Sequence, residues 1–362
     1  MTNVNLPDKT GFNALRLFCC IVIVVGHCLD LSGLSSTCSF AKFLDMHSCV
    51  CVFFILSGFF VTRSYIQRRE KGDGALSFYG RRAKRILPSY YAVILLCAVG
   101  FFFLSECAVR EYLFSGQFWK YLFWNALFLN FICVSPVPKI DGGGGQMYSV
   151  PVNGALWTIK IEVAFYLVLP LVVHVVEKIK SKKGKNVFFV FCYAASILWN
   201  IFFELLGRSR NSSLISDMAH QFPGFVSYFV SGMLCIYNWK FLQRNLNRMI
   251  VPALCIFFLH YITHTEILMP LALTICVIWF GITLGRLSFI GEKVDFSYGI
   301  YLTHFPIIQF CVALGYFVRL PIFAICMVLG ASFAMAYLMN FVMSRMELKS
   351  NAVKMTVKGE SK

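Results

Sequence analysis

Charged side chains are scarce in this sequence. Asp, Glu, Lys and Arg make up 14% of its 362 residues, and the acidic residues number 17 against 33 basic ones. The chain has no long linker and no charged low-complexity segment, and no soluble domain fits between its apolar stretches. An internal repeat is also missing, and this argues against a transporter built from inverted halves. The 15 cysteines form no Cys-x-x-Cys pair, so we interpret them as small packing residues.

Apolar residues make up 58% of the chain and recur in blocks long enough to cross a membrane. The sequence therefore predicts an all-α, polytopic integral membrane protein, a bundle of about ten transmembrane helices. We assign residues 1–348 to a single transmembrane domain and residues 349–362 to a short basic cytoplasmic tail. The first span is too long for a removable signal peptide, so we expect it in the mature protein. The predicted spans are 12–33, 48–66, 88–105, 157–176, 187–205, 222–238, 248–262, 266–284, 297–318 and 320–344.

Basic residues are distributed unevenly over this topology. With both termini in the cytoplasm, 25 of the 33 lysines and arginines fall on the inner side and 7 on the outer side, as the positive-inside rule requires. The net charge of +16 therefore needs no nucleic acid to explain it. A crossing at 118–134 would send the lysine-rich run 178–185 outside, so we expect an interfacial or re-entrant helix there. The glycine run 142–145 in the same outer loop predicts local mobility.

The first predicted span carries two ionisable side chains, Arg16 and His27. On a helix, eleven residues of separation place them roughly 20° apart in direction and about 16 Å apart along the axis. Ionisable groups inside a membrane are costly and are functional by default. An imidazole can also take a hydroxyl proton near neutral pH. The alternative is that Arg16 snorkels to the inner interface while His27 is a hydrogen-bonded packing residue.

A dense basic cluster precedes the third span. Arg81, Arg82 and Arg85 lie just before Pro88, which can start a helix. Three arginines within five residues would present a fork of donors to phosphate oxygens. A positive-inside anchor is the alternative, and it explains the number of charges but not their spacing.

Polar side chains also enter the fourth span. Asn153 and Trp157 lie at its outer end, and Glu162 lies about a turn and a half inside it. Lys160, two residues away, cannot face Glu162 on a helix, so we expect the partner of Glu162 on another segment. A structural pair between helices and a catalytic role are both open for Glu162.

The ninth span carries a polar stripe. Ser297, Tyr301 and His304 follow helical spacing, and Pro306 is placed to kink the helix. A histidine inside a membrane bundle is more often a hydrogen-bonded packing element than a base. We therefore favour a supporting role for His304.

Taken in order, these motifs resemble the acyltransferase family 3 membrane enzymes. The resemblance covers most of the chain, and it looks like the shorter type without an extra C-terminal hydrolase-like domain. Its motifs are Asn13-Ala-Leu-Arg16 with His27, Phe53-Phe-Ile-Leu-Ser57-Gly58-Phe59, the stretch from Phe78 to Pro88, Asn153-Gly-Ala-Leu-Trp157-Thr with Glu162, and Ser297-Tyr-Gly-Ile-Tyr-Leu-Thr-His304.

The resemblance implies transfer of an acyl group, usually acetyl, from cytoplasmic acyl-coenzyme A to a sugar hydroxyl. The implied acceptor is an envelope glycan, such as lipopolysaccharide, or a lipid-linked saccharide, and the implied location is the bacterial cytoplasmic (inner) membrane. Acetyl-CoA is the expected donor, membrane lipid is a partner, and neither a metal nor nucleic acid is expected. With the residues above, this predicts catalytic roles for His27, Arg16 and Glu162, donor binding by Arg81, Arg82 and Arg85, and acceptor binding by Trp157, Asn153, Tyr301 and His304.

One position departs from the family pattern. Many relatives carry an acidic residue two places before the Phe-Phe of the second span, where this chain has Cys51. A carboxylate that would orient His27 is therefore missing. Asp30 and Asp45 are candidates to replace it, and we place neither in the catalytic set. The residue that fixes the tautomer of His27 is not identified from the sequence.

Two further alternatives stay open. His27 would act as a general base or as a transient acyl carrier, and the sequence does not choose between them. A proton-coupled transporter or exporter of lipid-linked sugars would also place Arg, His and Glu in a bundle. The arginine cluster favours the enzyme, because a permease has no use for a phosphate-binding fork at one inner loop.

Overall fold

A computed structural model describes residues 4–137, 151–263, 265–292 and 294–360, with side chains as far as residue 346. Over those residues the chain is helical and contains no strand, as the composition predicts. The predicted mobile run 142–145 lies outside the described residues. The described helices are α1 (Phe12–Leu31), α2 (Met46–Arg69), α3 (Ala75–Gly100), α4 (Val109–Leu113), α5 (Gly116–Ala126), α6 (Trp157–Lys178), α7 (Lys182–Arg210), α8 (Ser213–Ser216), α9 (Phe222–Tyr237), α10 (Trp239–Thr263), α11 (Met269–Thr283), α12 (Ser297–Ala313), α13 (Tyr316–Arg319) and α14 (Pro321–Glu360).

Eight of the described helices are long and apolar enough to cross a membrane, so the chain is a multi-pass membrane protein. They are α1, α2, α3, α6, α7, α10, α14, and α11 together with the 3₁₀ turn that extends it to Leu287, 19 residues in all. The other two predicted spans are also helical, but α9 has 16 residues and α12 has 17. At about 1.5 Å per residue they fall short of the roughly 30 Å hydrocarbon core. Ten crossings and cytoplasmic termini stay predictions.

Helix α3 corrects the prediction that Pro88 starts a helix. The helix begins at Ala75, so the arginine cluster lies within it rather than in a loop before it. A proline inside a helix removes one N–H donor but does not always end the helix. Close to this point the Tyr298 hydroxyl of α12 donates to the Ile86 carbonyl at 3.2 Å, so another helix supports the backbone near the proline.

The segment 118–134 forms the end of α5 and then turns back. Helix α5 stops at Ala126 after 11 residues, too few to cross a bilayer. The reversal occurs at Phe128, a non-glycine residue with φ of +63°, whose ring stacks on Tyr90 with centroids 4.5 Å apart. Buried Asn125 donates to a backbone carbonyl on each side of the turn. The segment is therefore helical as far as Ala126 and does not form a helix long enough to cross, while its depth in the membrane stays a prediction.

The chain folds into two compact units, each assembled from three segments. The first unit contains Met1–Cys19, Met46–Arg82 and Thr158–Ile290, and the second contains Cys20–Asp45, Ala83–Trp157 and Gly291–Lys362. The unit boundaries fall inside α1, inside α3 and at the start of α6. Assignment of residues 1–348 to a single domain stays a prediction.

Helices α2 and α9 form the centre of the first unit. They approach closely because each has a glycine at the contact: a Cβ on Gly58 would collide with the Phe229 carbonyl, and one on Gly232 with the Ile55 carbonyl. Beside this contact the Phe165 ring lies flat on Phe229, with centroids 4.3 Å apart. The Ser-Gly-Phe motif of the second span is therefore explained by helix packing.

Helix α12 is the centre of the second unit. Ten of its 17 residues are buried, including all three members of the polar stripe, so the helix is enclosed on most sides. It packs on α14 through Gly299, where a Cβ would come within 2.7 Å of Ala336. Polar side chains on α12 therefore face protein partners.

Candidate functional site

The predicted site residues fall in both units. The second unit joins His27 on α1 to His304 on α12, with His27 Nδ1 2.9 Å from His304 Nε2. The ring planes differ by 7° and the centroids are 5.2 Å apart, so the imidazoles meet edge to edge in nearly one plane. His304 is completely buried, whereas His27 is half-buried. The accessible surface of the pair therefore belongs to His27.

The second nitrogen of His304 faces its own helix. Nδ1 lies 2.8 Å from the Tyr301 carbonyl oxygen and 3.2 Å from that of Ile300. The Tyr301 ring, 7% exposed, lies 5.7 Å from the His304 ring. Of the polar stripe predicted for the ninth span, Tyr301 thus lies beside the buried imidazole.

Asn153 joins the turn before α6 to α12 through a side-chain hydrogen bond. Pro306 has no N–H to offer the Leu302 carbonyl four residues earlier, and the Asn153 amide donates to that carbonyl instead, at 2.8 Å. The next residue, Gly154, has no room for a side chain, because a Cβ would lie 2.7 Å from the Phe305 ring. The Asn-Gly motif is therefore explained by its contacts with α12: Asn153 bonds the carbonyl that Pro306 leaves without a helical donor, and Gly154 makes room for the Phe305 ring.

The start of α12 is tied to α3. Asp295 accepts from the Ser297 backbone N–H at 3.0 Å and from the Ser297 hydroxyl at 2.5 Å. Its other carboxylate oxygen lies 4.0 Å from Arg85, whose side chain is 58% exposed. Arg85 thus has an acidic neighbour but keeps most of its guanidinium surface open.

In the first unit, Arg82 and Glu162 both contact Tyr166. The Arg82 guanidinium lies over the rings of Phe78 and Tyr166, 5.6 and 5.5 Å from their centroids. The Tyr166 hydroxyl donates to Glu162 and accepts from Ser57 at 3.4 Å. Tyr166, four residues away on the same helix, is therefore one partner of Glu162, and the expected partner on another segment stays a prediction.

The remaining candidates have separate surroundings. Arg16 packs on the Phe60 ring at 5.4 Å, and Arg81 is paired with Asp73 at 2.7 Å and Ser77 at 2.6 Å. Trp157 is half-buried at the first position of α6. Among the described residues, no group of three or more His, Cys, Asp or Glu side chains is placed to hold a metal ion.

Comparison with known proteins assigns the chain to a family. A family model described as an acyltransferase domain, of family 3, matches residues 9–341. The chain belongs to acyltransferase family 3. An O-acetyl transferase of Shigella phage Sf6 is 21% identical over 306 residues, which cover 82% of this chain and 84% of that protein. No solved structure gives a significant match.

Two further relatives match about half of the family 3 chain. Nodulation protein 10 of Rhizobium leguminosarum bv. viciae is 27% identical over 174 residues, 46% of this chain and 45% of that protein. The O-acetyltransferase OatA of Staphylococcus aureus strain NCTC 8325 / PS 47 is 29% identical over 175 residues, 45% of this chain and 24% of that protein. The family and these relatives support a membrane O-acetyltransferase.

Sequence reasoning missed the contact between His27 and His304. The two residues are 277 positions apart, and no spacing rule joins them. The sequence offered one signal for the contact: each histidine lies in an apolar helix, and polar groups buried in a bilayer commonly pair with one another.

Proposed function

We propose that this O-acetyltransferase moves an acetyl group from acetyl-CoA on the cytoplasmic side to a hydroxyl of an envelope glycan or lipid-linked saccharide, in the bacterial inner membrane. The observation that carries the proposal is the half-buried His27, held edge to edge by a second imidazole. An imidazole that is oriented by a hydrogen bond and keeps part of its surface accessible is a usual arrangement of a general base.

The proposed reaction needs a base and a proton donor for the leaving group. His27 takes the proton of the acceptor hydroxyl while the acceptor oxygen bonds to the acyl carbon. The thioester C–S bond then breaks, and the thiolate of coenzyme A takes the proton back from His27. Atoms and charges balance with no metal or redox step. A covalent acyl-histidine is the alternative route, and trapping it in the absence of acceptor would identify that route.

The three arginines of α3 differ in how accessible their side chains are to the phosphates of the donor. Arg85 is 58% exposed, so its guanidinium has surface left for phosphate oxygens. Arg81 is occupied by Asp73, and Arg82 packs on two aromatic rings. We therefore assign the main donor contact to Arg85, with Arg82 next to it by helical spacing.

Replacing His27 tests the proposal. His27→Ala should abolish acetyl transfer, at least about a 100-fold loss, because general acid–base catalysis contributes about that much or more. The control is His174→Ala, since His174 is an exposed histidine on α6 and should leave activity unchanged. Acetylation would be measured by mass spectrometry of envelope glycans from cells expressing each variant. Full activity in His27→Ala would disprove the role of His27.

The same measurement identifies the acceptor. Cells without the protein should lack an acetyl group on one envelope glycan, and the parent protein should restore it. If no glycan changes while a lipid-linked sugar accumulates on one side of the membrane, the transporter alternative would replace the enzyme.

A further inference from the structure

The contact between the two histidines determines where their protons lie. His304 Nδ1 lies within hydrogen-bond distance of two backbone carbonyl oxygens, on Tyr301 and Ile300. Carbonyl oxygens only accept hydrogen bonds, so Nδ1 must carry a proton and donate it. One of the two nitrogens of His304 is therefore fixed as the donor by the backbone of α12.

The protonation state of the other nitrogen of His304, Nε2, follows from the burial of the side chain. The side chain has no exposed surface, and burying an imidazolium away from water is costly. The two described contacts of Nδ1 are with neutral carbonyl groups. His304 is therefore a neutral imidazole whose proton is on Nδ1, and its Nε2 is a hydrogen-bond acceptor.

An acceptor on His304 requires a donor on His27. The 2.9 Å contact joins His304 Nε2 to His27 Nδ1, so the proton between them belongs to His27 Nδ1. A neutral His27 then has an unprotonated Nε2. The nearly coplanar rings place the N–H of His27 along the lone pair of its partner, which suits a strong hydrogen bond.

We propose that His304 is a positioning residue that holds His27 in the Nδ1–H tautomer, with Nε2 as the atom that accepts the substrate proton. The inference rests on the proposed function, in which His27 is the base. It assigns His304 a role through His27 rather than the acceptor contact expected from the sequence. It also supplies an orienting partner for His27, which the sequence alone does not identify.

The protons balance through one catalytic cycle. The acceptor hydroxyl gives its proton to His27 Nε2, and the imidazolium so formed keeps the proton on Nδ1 and donates a hydrogen bond from it to His304 Nε2. His304 stays neutral, because it takes up no proton and its own proton remains on Nδ1, hydrogen-bonded to the backbone carbonyls. When the coenzyme thiolate takes the Nε2 proton, His27 returns to its starting tautomer without rearrangement.

Nitrogen NMR of the resting protein tests the tautomer directly. Protein containing ¹⁵N-histidine would be prepared in lipid nanodiscs without substrates, and the signals of His27 assigned by their loss in His27→Gln. We expect His27 to carry its proton on Nδ1 and to have a bare Nε2. In His304→Leu the Nε2–H form of His27 should appear. A parent His27 protonated on Nε2 would overturn the proposal.

Two substitutions at His304 separate positioning from packing. His304→Gln keeps an acceptor oxygen near the place of Nε2 and should stay within about tenfold of the parent kcat, whereas His304→Leu should lose about 100-fold or more. The KM for acetyl-CoA should change little in either variant. Equal losses in Gln and Leu variants of equal folded yield would overturn the positioning role.

The outcomes distinguish the two proposals. A parent protein that acetylates no envelope glycan would overturn the proposed function, whatever the NMR shows. An active parent whose His27 carries its proton on Nε2 would overturn only the role of His304. An active parent with the expected tautomer and rescue by Gln supports both.

Discussion

Three arginines that are close in sequence have different surroundings in the structure. Arg81 forms an ion pair with Asp73, Arg82 packs its guanidinium on two aromatic rings, and Arg85 is mostly open beside Asp295. The three side chains therefore have different contacts, and the single dense cluster of donors predicted from their spacing is not what the structure shows. Arg85 is the most exposed of the three, so a phosphate would reach its side chain more readily than that of Arg81, which is held by Asp73.

Arg85→Ala should raise the KM for acetyl-CoA about tenfold, which corresponds to one charge-assisted contact of about 1.4 kcal/mol. The kcat should change little, because the substitution is remote from the reacting atoms. Steady-state kinetics with purified protein and varied acetyl-CoA would measure this. Arg208→Ala is the matched control, since Arg208 is also exposed beside a carboxylate, Glu204. An unchanged KM in Arg85→Ala would favour the positive-inside anchor.

Helix α12 depends on a hydrogen bond that its own backbone cannot make. Pro306 has no N–H, which leaves the Leu302 carbonyl without its helical donor, and Asn153 supplies one from the turn before α6. Asn153→Leu should therefore destabilise the protein by about 1–3 kcal/mol, the usual effect of an unsatisfied buried carbonyl. Thermal unfolding in mild detergent would show a lower midpoint.

A double substitution tests the cause of that loss. Pro306→Ala restores an N–H for the Leu302 carbonyl, so the double variant should recover about 1 kcal/mol relative to the sum of the single changes. Gln309→Leu combined with Pro306→Ala is the control, because Gln309 donates to the Pro151 carbonyl instead and its effect should be additive. Additivity in both pairs would contradict the explanation.

At the scale of the whole molecule, the membrane topology depends on α9. If this 16-residue helix crosses, the basic start of α10, with Lys240, Arg244 and Arg248, lies in the cytoplasm, as the positive-inside rule favours. If it does not cross, the same cations lie outside. The eight longer helices alone do not decide between these topologies.

Alkaline phosphatase inserted at 265–268 should be active, because these residues lie outside if α9 crosses and inside if it does not. Insertions at 70–74 and after Asn211 serve as controls, since they should report the inside and the outside in both topologies. An inactive reporter at 265–268, with both controls as expected, would show that α9 is not a crossing.

Prediction from the sequence succeeded where a local pattern carries the information. Each of the ten spans predicted from hydropathy contains a helix, and the motifs in order pointed to the correct family. The start of α3 was missed because Pro88 suits both the first turn and the interior of a helix. The histidine pair was missed because it depends on helix packing over 277 positions. The roles of the site residues stay predictions.

The hydrogen bond from Asn153 has a consequence for engineering the acceptor. The predicted outer loop 106–156, which we expect to shape the acceptor site, ends at the turn that carries Asn153 and Gly154, and this turn contacts Leu302 and Phe305. Those two residues flank His304 on α12. A graft of the corresponding loop from another family member, made to change which glycan is modified, should therefore end before Pro151. The recipient then keeps its own contacts of Asn153 and Gly154 with α12, next to His304 in the sequence of that helix.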